Sequence, residues 1–378
     1  MKILFIDTYY ENFLKSFYKR NINLINLNYE KQLSSLLNYK FGTSDSYSYY
    51  FKQNDWEAKD LIVNCSTLQK KWGEENNIKF SHIGLKIPHR FFKLPYIGPK
   101  IGRINGLSDM VKQQIKSFKP DILYCQDLSF FPEEILSEIK KENNIRLIVG
   151  QIACPLPPKY FLKPYDLILT SFPHFVNNLR KDGKNCEYFK IGFDQRILTK
   201  VKQINRDIDF SFVGGISKHH NNALDNIEYL IKNANLKVYG YGSRKLPFNS
   251  IIRRNHNGEK WGLEMYDILA RTKISFNRHI NVSLNNANNM RLYEATGMGS
   301  VLLTDEKDNL ENLFKIDNEI VTYNSKEEAL EKYNFLERNP DKMRQIAKAG
   351  QQRTLNEHTY EIRIKELIII LEKYLKRL

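Results

Sequence analysis

Cysteine is scarce in this chain, and long hydrophobic runs are missing altogether. The four cysteines, Cys65, Cys125, Cys154 and Cys186, stand far apart with no Cys-x-x-Cys spacing, which excludes a dense disulfide framework and a structural zinc site of the usual pattern. No apolar run reaches the roughly 18 to 20 residues that span a bilayer. The tract 367–371 is the longest near the end, and charges bracket it. No signal peptide is expected, because the opening residues Met1-Lys2-Ile3-Leu4-Phe5-Ile6 read as a strand. A reducing, cytoplasmic setting is the expectation, with peripheral contact to an anionic inner membrane face left open. RNA-recognition, helix-turn-helix and zinc-finger patterns are also lacking, so nucleic acid is not an expected partner.

What is present fits an ordinary globular protein. With 378 residues, 42% hydrophobic and 12% aromatic, the chain has material for two domains of common size. Its 58 basic and 43 acidic residues give a net charge of +15. Such a surface suits a phosphate-bearing substrate or anionic headgroups, although a lysine- and asparagine-rich composition alone would give the same excess.

Short apolar runs ending in polar or glycine residues alternate with helical patterns, the mark of an α/β protein. In the first half, strands are expected at 2–7, 119–127, 145–150 and 165–171, and helices at 11–18, 55–68, 69–77, 131–141 and 175–181. The polar and aromatic stretch 42–51 reads as a loop, as does 83–106, broken by Pro88, Pro95, Pro99, Gly98, Gly102 and Gly106. The loop 151–158 carries Pro155, Pro157 and Pro158. Ligands in α/β sheets gather beyond the carboxyl ends of strands. Asp127 and His174 both fall there, so each is a candidate general base for a hydroxyl; the competing reading of Asp127 is a helix cap. A linker is expected between about 195 and 206.

The second half opens with a strand around 208–213 that ends in Gly214-Gly215, followed by Ser217, Lys218, His219 and His220. Another strand ends in Gly240-Tyr241-Gly242. Missing side chains at such ends allow a ligand close to the backbone, and a tight turn would need the same residues. Asp207 and Asp209 form an Asp-x-Asp, but they precede their strand instead of following it, and no metal is expected. A helix is read at 261–270 and a strand at 273–277. Then comes the stretch 285–305, in which Asn285, Asn286, Asn288 and Asn289 can cap a helix that begins with Met290-Arg291-Leu292 and stops at Gly297 and Gly299. A helix N-terminus offers unpaired amides and a positive dipole end to an anion, and a diphosphate is the natural guest. Arg291 and Glu294, three apart, share one face, so one can meet a phosphate and the other ribose hydroxyls; a plain helix-surface ion pair is the alternative. Late helices are expected at 340–352 and 360–378.

Arg291-Leu292-Tyr293-Glu294-Ala295-Thr296-Gly297, the strand ending Leu303-Thr304-Asp305, and the later His358-Thr359-Tyr360 with Arg363 resemble the donor segment of GT-B glycosyltransferases, in particular the CgeB-like, glycosyl transferases group 1 branch. The resemblance is carried by the second half of the chain. It implies two Rossmann-like domains facing across a cleft: an acceptor domain at 1–195, a nucleotide-sugar domain at 207–357, and a last helix, 358–378, packing back on the first. It further implies a nucleotide-diphosphate sugar as donor, no metal, and a glycan, lipid-linked or protein acceptor. Gly214, Gly215, Gly240, Tyr241, Gly242, Asn288, Asn289, Arg291 and Glu294 are then the donor-site residues, with Asp127, His174 and Arg291 in catalysis. Many such enzymes carry an acid eight positions before this Glu, where Asn286 stands here. That departure leaves room for a non-catalytic scaffold that keeps the nucleotide site, and an epimerase of the same fold is a third reading.

Overall fold

The structure, a computed structural model, describes residues 1–78, 107–202, 205–216 and 223–377. The expected loop 83–106 and Ser217, Lys218, His219 and His220 lie outside the described residues. Two parallel sheets organise the rest. In the first, β1 (Lys2–Asp7), β2 (Glu57–Ile62), β3 (Ile122–Cys125), β4 (Leu147–Ile152), β5 (Leu167–Thr170) and β6 (Cys186–Tyr188) run in the order β2-β1-β3-β4-β5-β6. In the second, β7 (Ile208–Val213), β8 (Lys237–Tyr239), β9 (Thr272–Asn277), β10 (Val301–Asp305) and β11 (Val321–Tyr323) run in the order β11-β10-β9-β7-β8. Helices cover both faces of a parallel sheet, so its central strands are buried on both sides and read as unbroken apolar runs. The runs Ile122–Cys125 and Leu167–Thr170 are buried throughout for that reason.

By contact, the chain forms two compact units, Met1–Phe189 with Ile364–Leu378, and Lys190–Arg363. In the second, one apolar layer (Ile268, Leu292, Tyr293, Leu302, Phe314) backs one set of helices. Another (Phe210, Ile227, Leu230, Val238, Phe276, Leu336) fills the opposite side.

Two local expectations are overturned. Residues 55–65 are not helical, and the helix expected over 55–68 begins only at Ser66. They contain β2, which among the described residues pairs only with β1 (Lys2↔Glu57 through Asp7↔Ile62), and as an edge strand it turns Glu57 and Lys59 outward while Ala58, Leu61 and Ile62 are buried. Charged residues on a sheet edge discourage pairing with other chains, and here they mimicked helical composition. Nor is 42–51 a loop. It holds the helix Ser46–Lys52, whose Tyr47 and Phe51 are fully buried, both rings about Phe5 at 5.6 and 5.4 Å. β4 also runs two residues into the expected loop 151–158, through Ile152.

The His358-Thr359-Tyr360 and Arg363 group holds the end of the second unit together. The Phe193 amide donates to the His358 carbonyl at 2.8 Å, and the Tyr360 amide returns to the Phe193 carbonyl at 2.9 Å. Arg363, 2% exposed, donates through Nη2 to His358 Nδ1 and to the Glu357 carbonyl, both at 2.8 Å. An arginine can only donate. His358 Nδ1 is therefore the acceptor, and its proton sits on Nε2, 2.8 Å from the Leu313 carbonyl. Burial and the neighbouring Arg363 charge push His358 down to about 4, against the bond to Leu313.

A folded-state pKa below the unfolded value means that the unfolded chain takes up a proton first, so stability falls as pH drops from about 6.5 towards 4. Asp7 and Asp60, raised to about 7 chiefly by burial, work the other way in the first unit: they stabilise it in acid and lose that contribution as pH rises through 7. Between pH 7 and 5 the His358 contribution to stability should fall by about 2 kcal/mol. Urea unfolding of wild type and His358→Gln at both pH values measures the difference: the variant should be less stable at pH 7 and lose less on acidification. Equal losses would show that His358 does not stay neutral.

Candidate functional site

The second sheet has a switch point. Because β8 lies on one side of β7 and β9 on the other, the connections leave β7 and β9 in opposite directions, and a crevice opens at their carboxyl ends. The helix Met290–Gly297 starts there. Its N-cap, Asn289, accepts the Leu292 amide at 3.2 Å, and its side-chain nitrogen donates to Asn277 Oδ1 at 3.0 Å and to the Arg278 carbonyl at 3.1 Å. The cap thus fixes the helix to the end of β9. Asn288 is 6% exposed, and its side-chain nitrogen has no partner among the described residues.

One turn on, Arg291 reaches across the switch point. Its Nε donates to the Val213 carbonyl at the end of β7 (3.1 Å), its Nη atoms meet Met265 Sδ at 3.2 Å, and Nη1 lies 2.8 Å from Glu294 Oε2. Glu294, 5% exposed, also accepts from the Tyr266 hydroxyl at 3.1 Å. Arg291 and Glu294 are therefore an ion pair, but a largely buried one within a network, not a loose pair on a helix surface. Losing one partner would leave the other charge buried alone, a change that costs about 3 kcal/mol or more.

The glycines at the strand ends are needed by the protein itself. A Cβ on Gly240 (φ +122°) would come within 2.0 Å of the Gly214 carbonyl oxygen, and one on Gly242 (φ +100°) within 2.1 Å of the Ile216 carbonyl oxygen. Past the strands, the Gly214 amide still pairs with the Tyr239 carbonyl and the Ile216 amide with that of Tyr241. Here the close approach is of one loop's backbone to the other, and it needs no ligand to explain it. Gly215 lies against Tyr241, whose ring stacks on Trp261 at 5.5 Å and 16°.

Two residues at this edge gave no signal in the sequence. Arg278 and His279 follow β9 directly, and both are buried, at 9% and 7% exposure. Asp305 Oδ1 accepts the His279 amide at 3.0 Å and Nδ1 at 2.7 Å, while Lys307 lies 3.3 Å from Oδ2. Burial works to raise Asp305, but His279 and Lys307 outweigh it and hold the carboxyl low. His279 Nε2 and Arg278 Nε and Nη1 are unpartnered among the described residues.

Asp127 and His174 belong to the first unit. Asp127 follows β3; its Oδ1 accepts the Ser129 amide (2.9 Å) and hydroxyl (2.7 Å), and its Oδ2 the Thr8 hydroxyl (2.9 Å). It does not cap the helix Glu133–Glu142, whose N-cap is Pro132. His174 sits in the first turn of the helix Pro173–Lys181, its ring 5.3 Å from Phe172 and 4.7 Å from Phe175. Asp207 and Asp209 lie at the opposite, amino end of β7, each bound to a cation: Arg271 at 2.5 Å and Lys273 at 2.6 Å. Among the described residues no group of three His, Cys, Asp or Glu is placed to hold a metal ion, and no helix is long and apolar enough to cross a membrane.

Residues 218–369 match the family described as glycosyl transferase-like. No curated protein matches the chain. Among solved structures, it is similar over 99% of its length to all of Anabaena Alr3699/HepE in complex with UDP-glucose, at 12% identity and a TM-score of 0.60. Sucrose-phosphate synthase from Thermosynechococcus elongatus, at 8% identity, matches over the whole of both chains with a TM-score of 0.62. A putative UDP-N-acetylglucosamine 2-epimerase from Listeria monocytogenes, at 11%, covers all of this chain and 97% of its own, with a TM-score of 0.54. The fold is GT-B. Its two Rossmann-like units are those described above.

Burial of Glu294 sets the cost of disturbing this network. Glu294→Ala should destabilise by about 3 kcal/mol, whereas Glu294→Gln, which can keep the Tyr266 bond, should lose clearly less. Urea denaturation separates the two, and equal, small losses would mean that the network contributes little.

Proposed function

We propose that the protein is a glycosyltransferase that passes a sugar from a nucleotide-diphosphate donor to a hydroxyl acceptor without a metal ion. The observation that carries this reading is the overlap of the glycosyl transferase-like segment 218–369 with the strand ends where Asn289 caps a helix and Arg291 reaches β7. In the proposed reaction the bond from the sugar's anomeric carbon to the diphosphate breaks, the acceptor oxygen bonds to that carbon, and the acceptor proton passes to a base. The departing diphosphate gains negative charge. The N-terminal amides of the Asn-capped helix and the unpartnered nitrogen of Asn288 are suited to receive it. Tyr266 and Arg291 occupy part of the Glu294 carboxylate, which has lone pairs left for ribose hydroxyls.

The first unit, with Asp127 and His174 beyond its strands, is proposed to bind the acceptor and supply the base. Asp127 is held ready by three hydrogen bonds. The net charge of +15 suits an acceptor that carries phosphate or acidic groups, such as a lipid-linked glycan at the cytoplasmic membrane face. Bacterial surface-glycan or glycoprotein assembly is the setting we propose.

Thermal-shift measurements and calorimetry against UDP, GDP, TDP, CDP and CMP, with EDTA present, test the donor half. One diphosphate should bind; at 100 times its dissociation constant it should add about 2.7 kcal/mol of stability. Glu294→Gln should weaken that binding at least tenfold. Binding that needs a divalent ion would overturn the metal-free mechanism, and a folded protein that binds none of the five would overturn the donor site. Interconversion of the free sugar nucleotide without acceptor would replace transfer with epimerisation; binding with neither reaction would leave a scaffold.

A further inference from the structure

Beyond the Asn-capped helix, the carboxyl ends of β9, β10 and β11 open into a cavity of about 960 Å³, room for a sugar-sized molecule. Its charged lining is mostly self-neutralised. Asp305 is bound by His279 and Lys307, and Lys326 pairs with Asp225 at 2.7 Å. Two charged lining residues have no ion pair among the described residues, the exposed Glu327 and the buried Arg278, which lies 5.6 Å from the centre of the Phe212 ring. A guanidinium that is nine-tenths buried, with two nitrogens lacking acceptors, bears a large desolvation cost unless an anion completes it. Burial also brings Arg278 down to about 10, and the nearby Tyr323 and Asp305 only partly offset this.

The His279 ring does not share in this: its side chain is only 1% exposed, and its Nδ1 lies 2.7 Å from Asp305 Oδ1, so it serves to hold that carboxylate. A guanidinium without a counter-charge matches an oxyanion, either a phosphate or a carboxylate. We propose that this cavity is an oxyanion subsite, in which Arg278 binds the phosphate or carboxylate of a sugar-sized ligand. Arg278 is tied through its own carbonyl to Asn289, so the subsite adjoins the helix cap. It does not depend on the donor assignment above, because neither its residues nor its test involve a nucleotide.

Calorimetry and thermal unfolding of the full chain against inorganic phosphate, glucose 6-phosphate, glucuronate and neutral glucose decide the matter. Glucose 6-phosphate, glucuronate or both should bind one to one, with glucose at least tenfold weaker. Binding of only the first assigns phosphate as the oxyanion, and of only the second, carboxylate. Arg278→Met should abolish the binding while leaving the unliganded melting temperature equal or higher, because it removes an unpaired buried charge. The subsite is overturned if none of the anions binds below about 10 mM, if glucose binds as well as they do, or if binding survives Arg278→Met. A marked loss of stability in Arg278→Met would also overturn it, because Arg278 would then have its counter-charge within the fold.

Discussion

The hydrogen bonds of one asparagine set the geometry of the second unit's working edge. Asn289 caps the helix Met290–Gly297 and at the same time grips Asn277 and the Arg278 carbonyl at the end of β9. An N-cap contributes about 1 kcal/mol to its helix, modest beside the burial around it. Its larger role is positional. The cap sets where the helix begins relative to β9, which fixes the point from which Arg291 reaches the Val213 carbonyl and that at which Glu294 meets Tyr266. Arg278, gripped by its backbone, lines the cavity with its guanidinium packed near Phe212.

Much of this was legible in the chain. The boundaries of β1 and of the Asn-capped helix follow from local chemistry alone: an apolar run closed by Asp7, and asparagines before Met290 with glycines at 297 and 299. The α/β class follows likewise from alternating strands and helices, whereas the GT-B fold was implied only by the resemblance of the segment 291–297 and the residues around it. Failures came where tertiary context outweighed local composition. β2 carries charges because it is an edge strand, and its helix-like composition misled; the Tyr-rich turn at 46–52 is a helix because Phe5 gives its rings a place to bury.

The site was legible only in part. Asn289, Arg291 and Glu294 stand out in sequence, but their partners Val213, Met265 and Tyr266 come from other elements, and only the folded chain shows that the Arg291–Glu294 pair is buried. Glycines 240 and 242 were visible, but not the packing reason for them: a Cβ at either would come within about 2 Å of the neighbouring loop's carbonyl oxygen. Arg278 and His279 carry no motif. What distinguishes them is unmet hydrogen-bonding capacity, a property that exists only once every other partner has been placed.

The division of the chain has a consequence for how it is made. The first unit includes Ile364–Leu378, the far part of the helix Tyr360–Leu375, so its final piece leaves the ribosome only after all of Lys190–Arg363. Domains generally fold in the order in which they are synthesised. Here the unit that starts first closes last, and until Leu367 and Leu371 arrive, the apolar surface that buries them waits uncovered through the synthesis of the other unit.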